Sequence, residues 1–382
     1  MDLGKIARSS RRFELDEATD DDLNYLEGKG TSLGGARPKC TVLDEHGNLA
    51  IGKFASVNDE RSVVKGEILG LELARAAGLN AAVGQIVTVD GVNVAVVKRF
   101  DRTRLGRRIP YWSMATFLQC TDNGYPPPSY QLLNEKLFLQ ADRSDKSTAK
   151  ELFGRLLLNF LINNTDDHGR NTGLLMQNNG AWVLSPAFDI NPVPLSRPDA
   201  PYLSKCYLSS EEGEMEDVRQ LWKCRPAFDL SEDEGIEVFR RVITAVQNWK
   251  TIAVRPKVRM NASDLRDYAS AFSPVRLQKA LDIVASEVTR IKNKYGNKAI
   301  LATGYEYRNV IPGLYTAPSL NAYGGCTVTW GQASQGAFPL VANSMKGSYD
   351  LGATDFSDRY EIRKAKLIVM WGQNPAWSQA GN

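Results

Sequence analysis

Hydrophobic positions along the chain follow two different periods, and the change between them divides it. Apolar residues cluster in short runs at 40–43 and 49–54, separated by the polar turn Glu45-His46-Gly47-Asn48. They cluster again at 84–89 and 92–100, separated by Asp90-Gly91. Runs of that length bounded by turn formers predict strands, and an Asp-Gly pair suits a two-residue hairpin. Between the hairpins, residues 67–77 read as a helix with Gly78 as its stop. The order hairpin, helix, hairpin predicts a small sheet with one helix packed on it. After about residue 111 the period lengthens: Leu152, Phe153, Leu156, Leu157, Phe160 and Leu161 recur at helical spacing. Ser231 and Glu234 form a capping box ahead of Ile236, Phe239, Ile243 and Val246. A strand-rich N-terminal lobe and a helical C-terminal lobe, joined near Arg102, follow from this pattern.

The two ends read differently. Residues 1–30 are highly charged and include Asp20-Asp21-Asp22, the pattern of a solvated helix or a loose arm. From 274 onward, Leu277, Leu281, Val284, Val288 and Ile291 form a helical stripe. Strand-like runs follow at 299–302 and 366–371, with Gly, Ala, Asn and Tyr between them. This reads as the opening of an α/β domain unlike what precedes it. The division expected is an arm (1–30), a small lobe (31–111), a helical lobe (112–273) and a separate segment (274–382).

The length of 382 residues accommodates two or three domains. The net charge of +3 is too small to make nucleic acid or an anionic membrane the main partner. The five cysteines are odd in number, scattered, and contain no Cys-x-x-Cys pair, which argues against a zinc site or a disulfide framework. No apolar leader opens the chain, and its most apolar window, 152–162, is about half a membrane span. A soluble cytoplasmic protein with no membrane partner is the expectation.

The chemistry concentrates in Asn163-Asn164-Thr165-Asp166-Asp167-His168-Gly169-Arg170-Asn171, a loop opening just after the apolar helix. Asp189 follows in Ser185-Pro186-Ala187-Phe188-Asp189-Ile190-Asn191-Pro192. Taken singly, Asp and Asn in loops are turn formers. Together they are an acid, an amide five residues later, and a second acid on the next hairpin. A carboxylate that orients a hydroxyl, with an amide oxygen and a carboxylate on Mg²⁺, is what phosphoryl transfer from ATP requires. The N-terminal lobe supplies the complement. Gly34 and Gly35 lie in a loop that lets backbone N–H groups approach phosphates, with Lys39 just beyond it. Lys53 sits amid apolar strand residues and so requires a partner or an anionic ligand. Glu67 opens the helix and is placed to pair with it, or simply to complement the helix dipole. Lys98, Arg99 and Phe100 end a strand at the lobe junction, where a backbone edge reads an adenine. His168 orients the loop by hydrogen bonding.

With these motifs in order, residues of about 30–273 resemble the HipA family of toxin kinases. The motifs are Ser32-Leu33-Gly34-Gly35-Ala36-Arg37-Pro38-Lys39, Lys98-Arg99-Phe100-Asp101-Arg102, Asn164-Thr165-Asp166-Asp167-His168-Gly169-Arg170-Asn171 and Ser185 to Pro192. The resemblance implies an α+β, protein-kinase-like two-lobe fold of a short form. It implies Asp166 as the catalytic Asp, Asn171 and Asp189 as magnesium ligands, and Lys53 on the ATP phosphates. Lys98 to Phe100 become the adenine hinge, and Ser32 a site of autophosphorylation. It further implies a protein substrate such as an aminoacyl-tRNA synthetase, and a small helix-turn-helix, HipB-like antitoxin that binds operator DNA. Gly66 stands where that family usually carries a large aromatic residue, which implies looser packing of the helix. The tail resembles molybdopterin-dependent oxidoreductases of the dimethyl-sulfoxide-reductase type, at Lys279 to Val284 through Asn297 and at Leu367-Ile368-Val369-Met370-Trp371-Gly372-Gln373-Asn374-Pro375. The iron–sulfur cysteines of such enzymes are absent, so the tail reads as a fragment. Two other readings stand beside a kinase: an inactive module that binds nucleotide or antitoxin, and a piece of an oxidoreductase.

Overall fold

The computed structural model describes residues 3–26, 37–103, 105–120, 128–139 and 146–297, together with the backbone of 301–302 and 327–328. The chain forms two compact units, Met1–Glu287 and Val288–Asn382. In the first unit, α1 (Leu3–Glu14) and α2 (Asp20–Leu26) precede β1 (Lys39–Leu43), β2 (Leu49–Phe54), α3 (Val63–Ala76), β3 (Gly84–Val89) and β4 (Val92–Lys98). The four strands make an antiparallel sheet in the order β1-β2-β4-β3. Asp90 and Gly91 both take positive φ, 49° and 78°, the conformation that matches a tight hairpin to strand twist. Gly78 ends α3 at φ 73°.

Alternation along the strands gives the sheet two buried faces. Ala95 and Val97 of β4 face α3 and meet Ile68 and Leu71 in the main core. Val94 and Val96 point the other way and pack with Cys40, Val42, Ala50 and Phe54 against Ile6 and Ala7 of α1. The expected solvated or loose arm is therefore corrected. Leu3, Ile6 and Ala7, at helical spacing among basic residues, form a narrow stripe that closes the outer face of the sheet. The surrounding charges find partners: Arg8 pairs with Asp90, Ser9 Oγ donates to Asp22 at 2.6 Å, and Lys5 lies 4.3 Å from the centre of the Tyr25 ring.

The helical part opens with β5 (Tyr111–Ser113), α4 (Met114–Leu118), α5 (Tyr130–Phe138) and α6 (Ser147–Leu161). The hairpin β6 (Gly173–Met176) and β7 (Trp182–Leu184) joins β5 in a three-stranded sheet. Next come β8 (Tyr207–Ser209), β9 (Gly213–Glu214), α7 (Val218–Cys224), α8 (Glu232–Gln247), α9 (Trp249–Ala253), α10 (Ala262–Tyr268) and α11 (Pro274–Tyr295). Helix α6 is the axis of the lobe, buried from Leu152 through Leu161. Helix α8 opens on the expected capping box, Ser231 with Glu234. The stripe on α11 divides between the units: Leu277, Ala280, Leu281 and Val284 pack on the main core, and Val288 and Ile291 belong to the second unit. In that unit β10 (Leu301–Ala302) pairs in parallel with β11 (Thr327–Val328). The expected strand at 366–371 lies outside the described residues.

Helix α3 presents Gly66 and Gly70 on one face. A Cβ at Gly70 would run into the backbone carbonyl of Ile190, and one at Gly66 into the Tyr268 hydroxyl and Asn191 Oδ1. The looser packing implied for Gly66 is corrected here. The aromatic ring arrives from α10, where Tyr268 is fully buried and its hydroxyl donates to Ser62 O at 3.0 Å. Beside it, Lys65 Nζ meets Asp264 Oδ2 at 2.7 Å in a buried pair.

Ile6→Ala tests the role of α1. Ile6 is 1% exposed. Its truncation is expected to lower the unfolding free energy by about 2–4 kcal/mol, measured by urea denaturation; a change within error would mean that α1 is not docked on the sheet.

Candidate active site

Strand alternation decides what faces the cleft between the sheet and the helical lobe. Ala50, Gly52 and Phe54 of β2 turn toward α1, so Lys53 turns toward α3. Lys39 lies directly across from it in register. Like charges directly opposed on one face destabilise a strand pair, so the pair signals compensating anions. Glu67 supplies one: Lys53 Nζ lies 2.5 Å from its Oε1, and the same ammonium bonds Asp189 Oδ1. Burial alone lowers the Lys53 pKa, but the two carboxylates outweigh it and hold it above the usual lysine value. Burial raises Glu67 above its ordinary value, with Lys53 offsetting only part of the effect. At Asp189 burial is overcome by Lys53, and the carboxyl is held below its ordinary range.

Asp189 adopts a left-handed backbone, φ 53°, just after the β6–β7 hairpin. Across the cleft runs the loop between α6 and β6, and it is fixed at many points. Asn164 Nδ2 donates to Asn159 Oδ1 at 3.0 Å, and Asn163 Nδ2 to Val193 O at 2.8 Å. The buried guanidinium of Arg276 donates to Phe160 O, Asn163 Oδ1 and Ala200 O at 2.8–3.0 Å. Burial lowers its pKa to about 10. Asn171 Nδ2 donates to Asp166 O at 2.7 Å, which commits the amide nitrogen and leaves Oδ1 as an acceptor. His168 shapes the loop: its Nδ1 accepts from Arg170 N at 3.3 Å, and its Nε2 lies 3.8 Å from Asp166 Oδ1.

The result is a cleft of about 570 Å³ lined on one side by Arg37, Lys39, Lys53 and Glu67, and on the other by Asp166, His168, Arg170, Asn171, Asp189 and Asn191. Eight residues picked from sequence thus bear on one place: Lys39, Lys53, Glu67, Asp166, His168, Asn171 and Asp189 line it, and Phe100 stands behind it. The Phe100 ring lies 5.5 Å from that of Phe188, a lining residue, with Tyr111 beside both. Burial pushes the Tyr111 phenol up to about 12. The backbone amides of Lys98 and Arg99 are already engaged with Val83 O and Leu49 O at 2.8 and 3.0 Å. The Arg99 side chain is held by Asp101. Ser32, Gly34 and Gly35 lie outside the described residues.

Several contributors escaped the sequence reading. Asp167, beside Asp166, is buried, and three donors reach its carboxylate: Lys205 N at 2.9 Å, Ser204 Oγ at 3.0 Å and Tyr202 OH at 3.4 Å. The doubled acid was a visible signal; the strap that receives it was not. Lys205 Nζ reaches Asp166 Oδ1 at 2.5 Å. Asn191 Oδ1 is buried at the cleft wall without a hydrogen-bond partner. Among the described residues no cluster of three or more His, Cys, Asp or Glu stands ready to hold a metal. The donors present, two carboxylates and two amide oxygens around a cationic wall, fit a hard cation that arrives with an anionic ligand, as Mg²⁺ does with phosphates.

Burial raises the Asp167 pKa above its ordinary value. The folded state therefore binds that proton more tightly than the unfolded chain. The resulting stability is fully present below the unfolded carboxylate value and is lost as pH rises through the folded one. Unfolding free energies measured from pH 7 down to about pH 4 should show wild type gaining on Asp167→Asn as pH falls. A constant difference would mean that Asp167 is not a desolvated acid.

The family model of the HipA-like C-terminal domain matches residues 31–249, and that of molybdopterin oxidoreductases matches residues 254–381. Among solved structures, HipA of Shewanella oneidensis MR-1, determined with HipB and operator DNA, aligns over 70% of this chain and 68% of its own, with TM-score 0.52 and 17% identity. Among curated proteins, "Putative kinase Y4dM" of Sinorhizobium fredii is 26% identical over 140 residues, 34% of each chain. "Probable dimethyl sulfoxide reductase chain YnfF" of Escherichia coli K12 is 31% identical over 108 residues, 28% of this chain and 13% of the relative. The chain thus spans about an eighth of the reductase chain and a third of Y4dM.

Proposed function

Because the chain belongs to the family of the HipA-like C-terminal domain, we propose that it is a kinase that transfers the γ-phosphate of ATP to a serine or threonine hydroxyl of a protein. The observation that carries the reading is the convergence of Lys53, Glu67, Asp166, Asn171 and Asp189 on one cleft, from segments far apart in the chain. Lys53, presented by a rigid sheet and positioned by Glu67, draws the phosphate chain of ATP into the cleft, and Lys39 and Arg37 add charge along the same wall. Phe188, backed by Phe100, offers an aromatic surface for the base. Asn171 and Asp189 would hold Mg²⁺, which neutralises the phosphate oxygens when bound.

Asp166 orients the acceptor hydroxyl and takes its proton. The hydroxyl oxygen bonds to the γ-phosphorus as the bond to the β,γ-bridging oxygen breaks, and ADP leaves with that electron pair. The half-exposed Asp166 carboxylate suits a macromolecular acceptor, since a protein side chain has to reach it. An aminoacyl-tRNA synthetase is one such acceptor, and Ser32 is an acceptor within this chain. A small helix-turn-helix antitoxin of the HipB kind, and through it operator DNA, is the partner proposed from the likeness to HipA.

The experiment is incubation of the full chain with Mg²⁺ and ATP, read by intact mass, with Asp166→Asn beside the wild type. Phosphate gain in the wild type alone is expected, with transfer by the variant reduced by at least about 100-fold. Equal transfer by Asp166→Asn would sink the assignment.

A further inference from the structure

The loop carries two adjacent acids, and the structure uses them differently. Asp167 is buried and Asp166 is exposed at the cleft, yet both are addressed by one segment, Tyr202 to Cys206. Its backbone is fixed against the loop. Tyr202 OH donates to Asn164 O at 2.9 Å, Ser204 Oγ and Lys205 N donate to the two oxygens of Asp167, and Ser204 Oγ accepts from Cys206 N at 3.3 Å. The Lys205 side chain therefore starts from an immobile backbone, and its ammonium ends 2.5 Å from Asp166 Oδ1. Its side chain is 51% exposed and that of Asp166 61%. An ion pair so exposed to water adds little to folding stability. A second group near that carboxylate, His168 Nε2, stands off at 3.8 Å.

We infer that Lys205 is a positioning residue for phosphoryl transfer, holding the Asp166 carboxylate rotated so that Oδ2 faces the acceptor hydroxyl. This rests on the kinase reading of the cleft. Lys205 takes no part in the proton transfer. The hydroxyl proton passes to Asp166 Oδ2, the acceptor oxygen bonds to the γ-phosphorus, and ADP departs with the electrons of the broken bond. The lysine acts through Asp166 alone: a carboxylate already turned toward the hydroxyl does not have to reorient as the transition state forms. The pinned backbone fixes the point from which the lysine reaches, and the ion pair with Asp166 selects among its rotamers.

The test uses the full chain with Lys205→Met and Lys205→Arg, alongside Asp166→Asn, in Mg²⁺ and ATP. Turnover and the KM for ATP are measured from phosphate incorporated or released. For Lys205→Met, kcat should fall by roughly 10- to 100-fold with the KM for ATP within about twofold, since ground-state binding is untouched. Lys205→Arg should recover part of the loss, and the thermal midpoint of Lys205→Met should stay near the wild type. Full activity in Lys205→Met beside an inactive Asp166→Asn would overturn this inference and leave the kinase standing. A loss confined to KM, or one that tracks lost stability, would also overturn it. A wild type no more active than Asp166→Asn would remove the kinase reading, and this inference with it.

Discussion

The Lys53 ammonium is shared by two carboxylates in a site closed to most solvent, and the rest of the cleft is arranged around that fact. Its three charges come from β2, from the second turn of α3 and from the backbone that follows β7. Neither Lys53 nor Glu67 is tolerable alone at that depth: leaving a buried charge without its partner costs about 3–5 kcal/mol. The cluster therefore fixes the distance between the sheet, helix α3 and the Asp189 turn. With one ammonium for two acids, one acid remains available, and Asp189 is the more exposed of the two. An incoming cation can take Asp189 while Glu67 keeps the lysine in place.

Packing supplies what electrostatics alone would leave loose. The Gly66 and Gly70 face of α3 admits the Ile190 carbonyl and the Asn191 side chain at distances that any Cβ would forbid. The helix that carries Glu67 is thereby held against the turn that carries Asp189. On the opposite side of the sheet α1 closes the outer face. Its last turn reaches the loop after β2, where Glu14 accepts from Val57 N at 2.8 Å and Asp59 holds Arg37 at the cleft edge.

Much of this was legible in the sequence because strand and helix periods are local properties. The two hairpins, α6, α8 and the spacing from Asp166 to Asn171 and Asp189 all lie within single runs of chain. Asp264, Tyr268 and Arg276 were not legible, since each acts on a partner more than a hundred residues away and looks like an ordinary helix residue in its own neighbourhood. Lys205 is similar: its meaning depends on where Asp167 pins its backbone. The arm misled for another reason. Charge dominates residues 1–30 by count, but Leu3, Ile6 and Ala7 are enough to cover one face of a four-stranded sheet. At the junction of the lobes, the amides of Lys98 and Arg99 are engaged with Val83 O and Leu49 O, pairings that span tens of residues and so leave no local mark in the sequence.

The match to molybdopterin oxidoreductases begins at 254, yet the first compact unit runs to Glu287. Between those points lie the partner of Lys65, the ring that fills the space above Gly66, and the guanidinium that ties Asn163 to Ala200. Replacing the chain from 254 onward with an unrelated sequence would strip all three from the first unit. Residues 254–287 thus belong to the first unit by packing although they match the second family model.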